Sequence, residues 1–105
     1  MAEAKIEKRS DGGFLVSGDM TFATTPKLLE ISKELFRQTQ DLRLDLSGVE
    51  QADSASLALL LEWLVWTREN GGRLSVRGLP EAMLALARLC QLEAELQLLG
   101  SRTSS

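Results

Sequence analysis

Histidine is absent, and cysteine occurs once, as Cys90. Without an imidazole the chain lacks the usual acid–base group of neutral pH and the commonest metal ligand. A single thiol excludes an intrachain disulfide, and with no histidine beside it zinc chemistry is all but removed. Long apolar runs are missing too. Leu57 to Leu61 is interrupted by Glu62 before Trp63 to Trp66 resumes, far short of the ~20 residues that cross a bilayer. The twelve basic residues are scattered and build no stripe of the kind that follows a nucleic-acid backbone. Met1-Ala2-Glu3-Ala4-Lys5 carries no apolar signal-peptide core. These gaps lead us to expect a cytoplasmic protein that neither binds nucleic acid nor inserts directly into a membrane.

What is present suits one domain. The chain has 105 residues, 44% of them apolar, with a net charge of −3; this is enough for a core and ordinary in polarity. We read residues 1–100 as a single domain and 101–105 as a flexible polar tail.

The order of elements follows from periodicity. Lys5–Arg9 reads as a charged edge strand, Ser10-Asp11-Gly12-Gly13 as a hairpin turn, and Phe14–Ser17 as the returning strand, closed by Gly18. Thr25 is the expected N-cap of a first helix, with Pro26 at its first position. Leu28, Leu29, Ile31, Leu35 and Phe36 carry that helix to about Gln38. Leu42–Leu46 alternates apolar and charged, as a half-buried strand does, and a polar loop follows. A second helix spans Ser54–Asn70 and stops at Gly71-Gly72. Leu74–Val76 is a short strand, Gly78-Leu79-Pro80 opens a third helix ending near Cys90, and Leu96–Leu98 is a last short strand. Strands joined by single helices pair in parallel through right-handed crossovers. The expected fold class is α/β: a small mixed sheet with helices packed mainly on one face.

The most informative segment is the corner Asp53-Ser54-Ala55-Ser56, where a polar loop meets a buried helix. Free backbone N–H groups and the positive end of the helix dipole converge there. Ser54 at such a corner can cap the helix, accept a phosphoryl group that Asp53 would repel, or dock a partner. Along the same helix Leu57, Leu60, Leu61 and Leu64 form the face expected to pack on the sheet, with Val65 beside it. Leu59, Trp63 and Trp66 lie on roughly the opposite side, either covered by a neighbouring helix or exposed as an interface stripe rimmed by Glu62 and Glu69. Cys90 reads as a small core residue. Asp45, Glu50 and Asp53 approach one loop but have no histidine to complete a catalytic or metal site. The glycines form turns and no phosphate-cradling loop, so no catalytic residue, metal ligand or cofactor site is expected.

The run Leu44-Asp45-Leu46-Ser47-Gly48-Val49, followed by Ala52-Asp53-Ser54-Ala55-Ser56-Leu57-Ala58-Leu59-Leu60-Leu61, resembles the STAS domain (sulphate transporter and anti-sigma-factor antagonist). The motif is a strand ending in Asp-Leu-Ser, then Asp-[Ser/Thr] and a small residue, then glycine and a helix. Asp53 and Ser54 match it; Ser56 stands where the family has glycine. Asn70–Leu79 is similar to the family's next strand and turn. Within the family, the short length and the leucine run look most like the small subunits of phospholipid-transport ABC complexes in Gram-negative bacteria. That likeness implies a non-enzymatic subunit bound to the transporter's ATPase and, through it, to the permease and substrate-binding subunits, peripheral to the inner membrane. The partner surface would draw on Asp53, Ser54, Ser56, Leu59, Trp63 and Trp66. The alternative it implies is an anti-sigma-factor antagonist switched by phosphorylation of Ser54 by a serine kinase.

Overall fold

The computed structural model describes residues 3–37, 39–92 and the backbone of 98–99. The elements are β1 (Lys5–Lys8), β2 (Phe14–Met20), α1 (Thr25–Leu35), β3 (Asp41–Ala52), α2 (Ser54–Glu69), β4 (Arg73–Arg77), α3 (Glu81–Leu89) and β5 (Leu98–Leu99). They form a five-stranded sheet in the order β1-β2-β3-β4-β5. The hairpin β1–β2 is antiparallel and every later pair is parallel. Each crossover advances one place in the same direction, so right-handed connections bring α1, α2 and α3 to one face. No helix among the described residues is long and apolar enough to cross a membrane.

Alternation along the strands divides the sheet cleanly. Leu42, Leu44 and Leu46 on β3 and Leu74 and Val76 on β4 are buried beneath the helices. Arg43, Ser75 and Arg77 point the other way, in register with one another and with Asp45. α2 is the central helix, with α1 and α3 on its flanks. At its end Gly71 takes a positive φ of 76°. The Gly71 and Gly72 N–H groups donate to the Arg68 and Thr67 carbonyls, which is the Schellman arrangement. Gly72 also has a second reason to be glycine, since a Cβ there would stand only 1.8 Å from the Gln40 carbonyl oxygen.

Several boundaries depart from the sequence reading. β3 runs on to Ala52, where a polar loop was expected after Leu46. β2 likewise continues past Gly18, and the two strands stay paired through register shifts at Ser17 and Gly18. The polar residues Ser47, Glu50 and Gln51 are exposed while Val49 and Ala52 pack against the core, and the irregular register accommodates this broken alternation. Thr24, not Thr25, precedes α1 as its N-cap. Its hydroxyl accepts the Thr21 N–H and donates to the Asp19 carbonyl, bracing the turn that launches the helix. α1 ends at Leu35, with Phe36 as C-cap, and Gln38 lies outside the described residues. Cys90 is exposed, because α3 ends one residue before it and its side chain no longer follows the helix face. Of the expected last strand, Leu96 and Gln97 lie outside the described residues, as does the tail 101–105, while Leu98 pairs with Val76.

The larger correction concerns α2. Leu59 and Trp63 are not an exposed stripe: they are 5% and 0% exposed. Trp66 is half-buried and packs against the core. A central helix is covered from beneath by the sheet and from both sides by its neighbours, so its buried arc is wide enough to take in both groups of apolar residues. Val65, expected beside the sheet-packing face, lies at the outer edge of that arc, 49% exposed. Trp63 meets α1 directly. Its indole N–H donates to the Ser32 hydroxyl at 2.9 Å, and that hydroxyl donates onward to the Leu29 carbonyl. Its ring stands edge-on to Phe36, and Phe36 edge-on to Phe14.

Trp63→Ala is therefore expected to lower folding stability by about 3–5 kcal/mol, the usual cost of emptying a buried aromatic site. Ser32→Ala, which strands the indole N–H, should cost about 1–3 kcal/mol. Urea unfolding followed by circular dichroism measures both. A melting curve for Trp63→Ala that matched wild type would contradict the packing described here.

Candidate functional site: the α1–α2 corner

The C-terminal ends of β2 and β3 deliver two chain reversals side by side, one into α1 and one into α2. Asp53 ties them together. One carboxylate oxygen accepts the Ala55 N–H at 2.9 Å and the other accepts the Phe22 N–H at 3.1 Å. Asp53 is thus the N-cap of α2, in an extended conformation, and its charge lies at the favourable end of the helix dipole. Ser54, which the sequence also offered as a cap, is the first helical residue. It is exposed, and no hydrogen bond among the described residues engages its hydroxyl. The capping and surface roles are divided between neighbouring residues.

Ser56 turns inward. It is 0% exposed, and its hydroxyl donates to the Asp53 carbonyl at 2.6 Å. It therefore presents nothing to a partner and instead tightens the first turn. The serine in the motif's glycine position fills internal space.

Between the two helix starts lies a groove of about 480 Å³, lined by Phe22, Thr25, Pro26, Leu29, Ala58 and Leu59, with Ser54 and Ala55 also on its wall. Its surface is almost all carbon, and Ser54 supplies a polar group. Phe22 stands over it 73% exposed, although the loop is anchored at that residue's own N–H. Leu59 contributes the buried floor. Farther along the same helix pair, Trp66 lines a smaller hollow of about 180 Å³ with Lys33, Phe36, Arg37 and Asn70. The structure therefore brings together Asp53, Ser54 and Leu59, separates Trp66 from them, and removes Ser56 and Trp63 from the surface. Sequence reasoning missed Phe22, whose only signal is an aromatic ring in an otherwise small and polar loop.

The carboxylates do not assemble. Asp45 faces the sheet side opposite the helices, where Arg9 donates to one oxygen at 2.7 Å and the Ser47 N–H to the other at 2.9 Å. Burial alone would push its carboxyl up. The hydrogen bonds from Ser47 and the charge of Arg9 outweigh that and hold it below the usual carboxylate range. Both oxygens of Asp53 are engaged in tying the corner. Among the described residues no group of three acidic or thiol side chains is placed to hold a metal ion. What the corner offers is an apolar cleft, a free hydroxyl and a rigid frame, the features of a docking surface.

A family model described as "Mlab, STAS domain" matches residues 7–100. No curated protein matches the chain. Among solved structures, a proposed anti-sigma factor antagonist from Thermotoga maritima superposes with a TM-score of 0.75 at 17% identity, covering 90% of this chain and 84% of that one. The anti-sigma factor antagonist SpoIIAA in its unphosphorylated form gives a TM-score of 0.68 at 13% identity, with 94% and 89% covered. At these identities the two structures share the fold alone.

Two outcomes follow from the corner and the sheet. Asp53→Ala should cost about 1–2 kcal/mol, the loss of a good cap, while Ser54→Ala should stay within about 0.5 kcal/mol of wild type; chemical denaturation separates them. Asp45 contributes stability that is complete above the free-aspartate value of about 3.9 and is lost as pH falls through its lower folded value. Asp45→Asn should therefore flatten the stability–pH curve below about pH 4, measured as the denaturation midpoint across an acid series.

Proposed function

Because the chain belongs to the STAS family, we propose that it is a non-catalytic subunit that binds the ATPase of an ABC transporter moving phospholipids between the inner and outer membranes. In this reading it is an MlaB-type subunit of the system that maintains lipid asymmetry in Gram-negative bacteria. Its direct partner is the MlaF-type ATPase, and through it the permease and substrate-binding subunits. It sits in the cytoplasm, held at the inner membrane by the complex. It supports assembly and activity of the ATPase without chemistry of its own.

The observation that carries the reading is the groove beside Ser54. A cleft of about 480 Å³ with a phenylalanine 73% exposed at its rim is an apolar surface that a partner side chain can fill. Asp53 holds the α1 and α2 approaches in one frame, so the cleft is preformed and little ordering opposes binding. Ser54 stands on its wall, where a larger or charged side chain would obstruct entry. The family match supports the MlaB-type assignment through its description.

Phe22→Ala should weaken capture of the ATPase by about 2 kcal/mol or more, as loss of an interface anchor does, with an unchanged melting temperature. Ser54→Arg should do the same through size and charge, while Ser54→Ala binds normally. Copurification of tagged protein with the ATPase reads all three, with circular dichroism as the folding control. If Phe22→Ala and Ser54→Arg both retain the partner as wild type does, the groove is not the docking surface.

A further inference from the structure

The sheet face turned away from the helices carries a second concavity, of about 130 Å³, lined by Arg9, Asp11, Arg43, Asp45, Ser75 and Arg77 among others. Register brings these groups together. Arg43 lies opposite Ser75 and Asp45 opposite Arg77 on adjacent parallel strands, and the hairpin turn brings in Arg9 and Asp11. Both Asp45 oxygens and one Asp11 oxygen have partners. Asp45 accepts from Arg9 and from the Ser47 N–H, and Asp11 accepts from the Gly13 N–H. Arg43 donates to the Asp11 carbonyl. Arg77 is different: among the described residues no carboxylate or carbonyl pairs with it, and Ser75, two residues before it on the same face of β4, offers its hydroxyl. Three guanidinium groups thus face two carboxylates, leaving one positive charge in excess on a chain whose net charge is −3.

We infer that this pocket is a binding site for a small tetrahedral oxyanion of the phosphate type, held by Arg77 and Arg43 with the Ser75 hydroxyl. The planar fork of arginine suits phosphate oxygens, and Arg43 is pre-oriented by its bond to the turn. Arg9 is fixed by Asp45 and supplies field rather than a contact. Size sets the class of ligand. A cavity of ~150 Å³ holds one benzene, so a concavity of about 130 Å³ has room for inorganic phosphate or for the phosphate of a headgroup. The site lies on the sheet face away from the α1–α2 groove, so its failure would leave the docking reading untouched.

The test is a titration of the ¹⁵N-labelled full chain with inorganic phosphate, against chloride at matched ionic strength. Saturable shifts confined to Gly13, Arg43, Ser75 and Arg77 are expected with phosphate and not with chloride. Arg77→Gln, an exposed and fold-neutral change, should weaken binding about tenfold, the weight of a charge-assisted hydrogen bond. A parallel arm uses vesicles of phosphatidylglycerol and of phosphatidylcholine. Arg77-dependent binding to the first alone assigns the phosphate to a headgroup, whereas phosphate binding without vesicle binding assigns it to a free anion. Shifts equal in phosphate and chloride, or a phosphate affinity unchanged in Arg77→Gln, would overturn the inference.

Discussion

The rotation of α2 about its axis is fixed by one buried contact. Trp63 reaches from the central helix to Ser32 on α1, and its ring sits against Phe36 and through it Phe14. An indole N–H in a core must find an acceptor, and the serine hydroxyl is held in place by its own bond to the Leu29 carbonyl. Once Trp63 is set, Leu59 points down between the helices, Leu57, Leu60 and Leu64 are buried with it, and Ala58 and Val65 face outward. The seam closes around Trp63. It opens toward the helix starts as the wide groove and toward the helix ends as the small hollow beside Trp66.

That rotation gives the N-terminal corner its character. Asp53 and Ser54 are adjacent, yet their work differs because one lies before the helix and one inside it. The residue before the helix has extended geometry, and its carboxylate turns back to satisfy orphan donors. The first helical residue projects outward. The same Asp53 carboxylate reaches across to the loop before α1 and links the two helix starts. A rigid apolar cleft with a free hydroxyl on its wall is suited to recognition and contains no paired acid and base. The proposed role as a subunit bound to an ATPase rests on that division.

The sheet separates two kinds of chemistry by the simple alternation of its strands. One face is aliphatic and carries all three helices. The other is polar, and its charged side chains are mostly exposed to water, where such groups contribute little to stability. Asp45 is the exception, since its side chain is only 11% exposed against 43% for Arg9. Apart from Asp45, the charged groups of this face contribute little to the fold, which leaves its excess of arginine free to serve recognition.

The existence and order of the strands and helices, the hairpin and the parallel crossovers were legible along the chain. Those depend on local periodicity, turn residues and chain connectivity, all of which are written along the chain. The place of Asp53 and Ser54 at the start of a helix was legible too, through the motif they share with STAS domains. Which of the two caps that helix and which is free emerges only from the folded chain. So does the placement of Ser56, Leu59 and Trp63 inside and Phe22 outside. α2 is apolar around so much of its circumference that periodicity could not say which arc its neighbours cover, and that arc is set by contacts from residues 31 positions away in the chain. The extended pairing of β2 with β3 was hidden for a related reason: its register shifts go with a broken alternation, and alternation is the signal by which a strand is recognised along the chain.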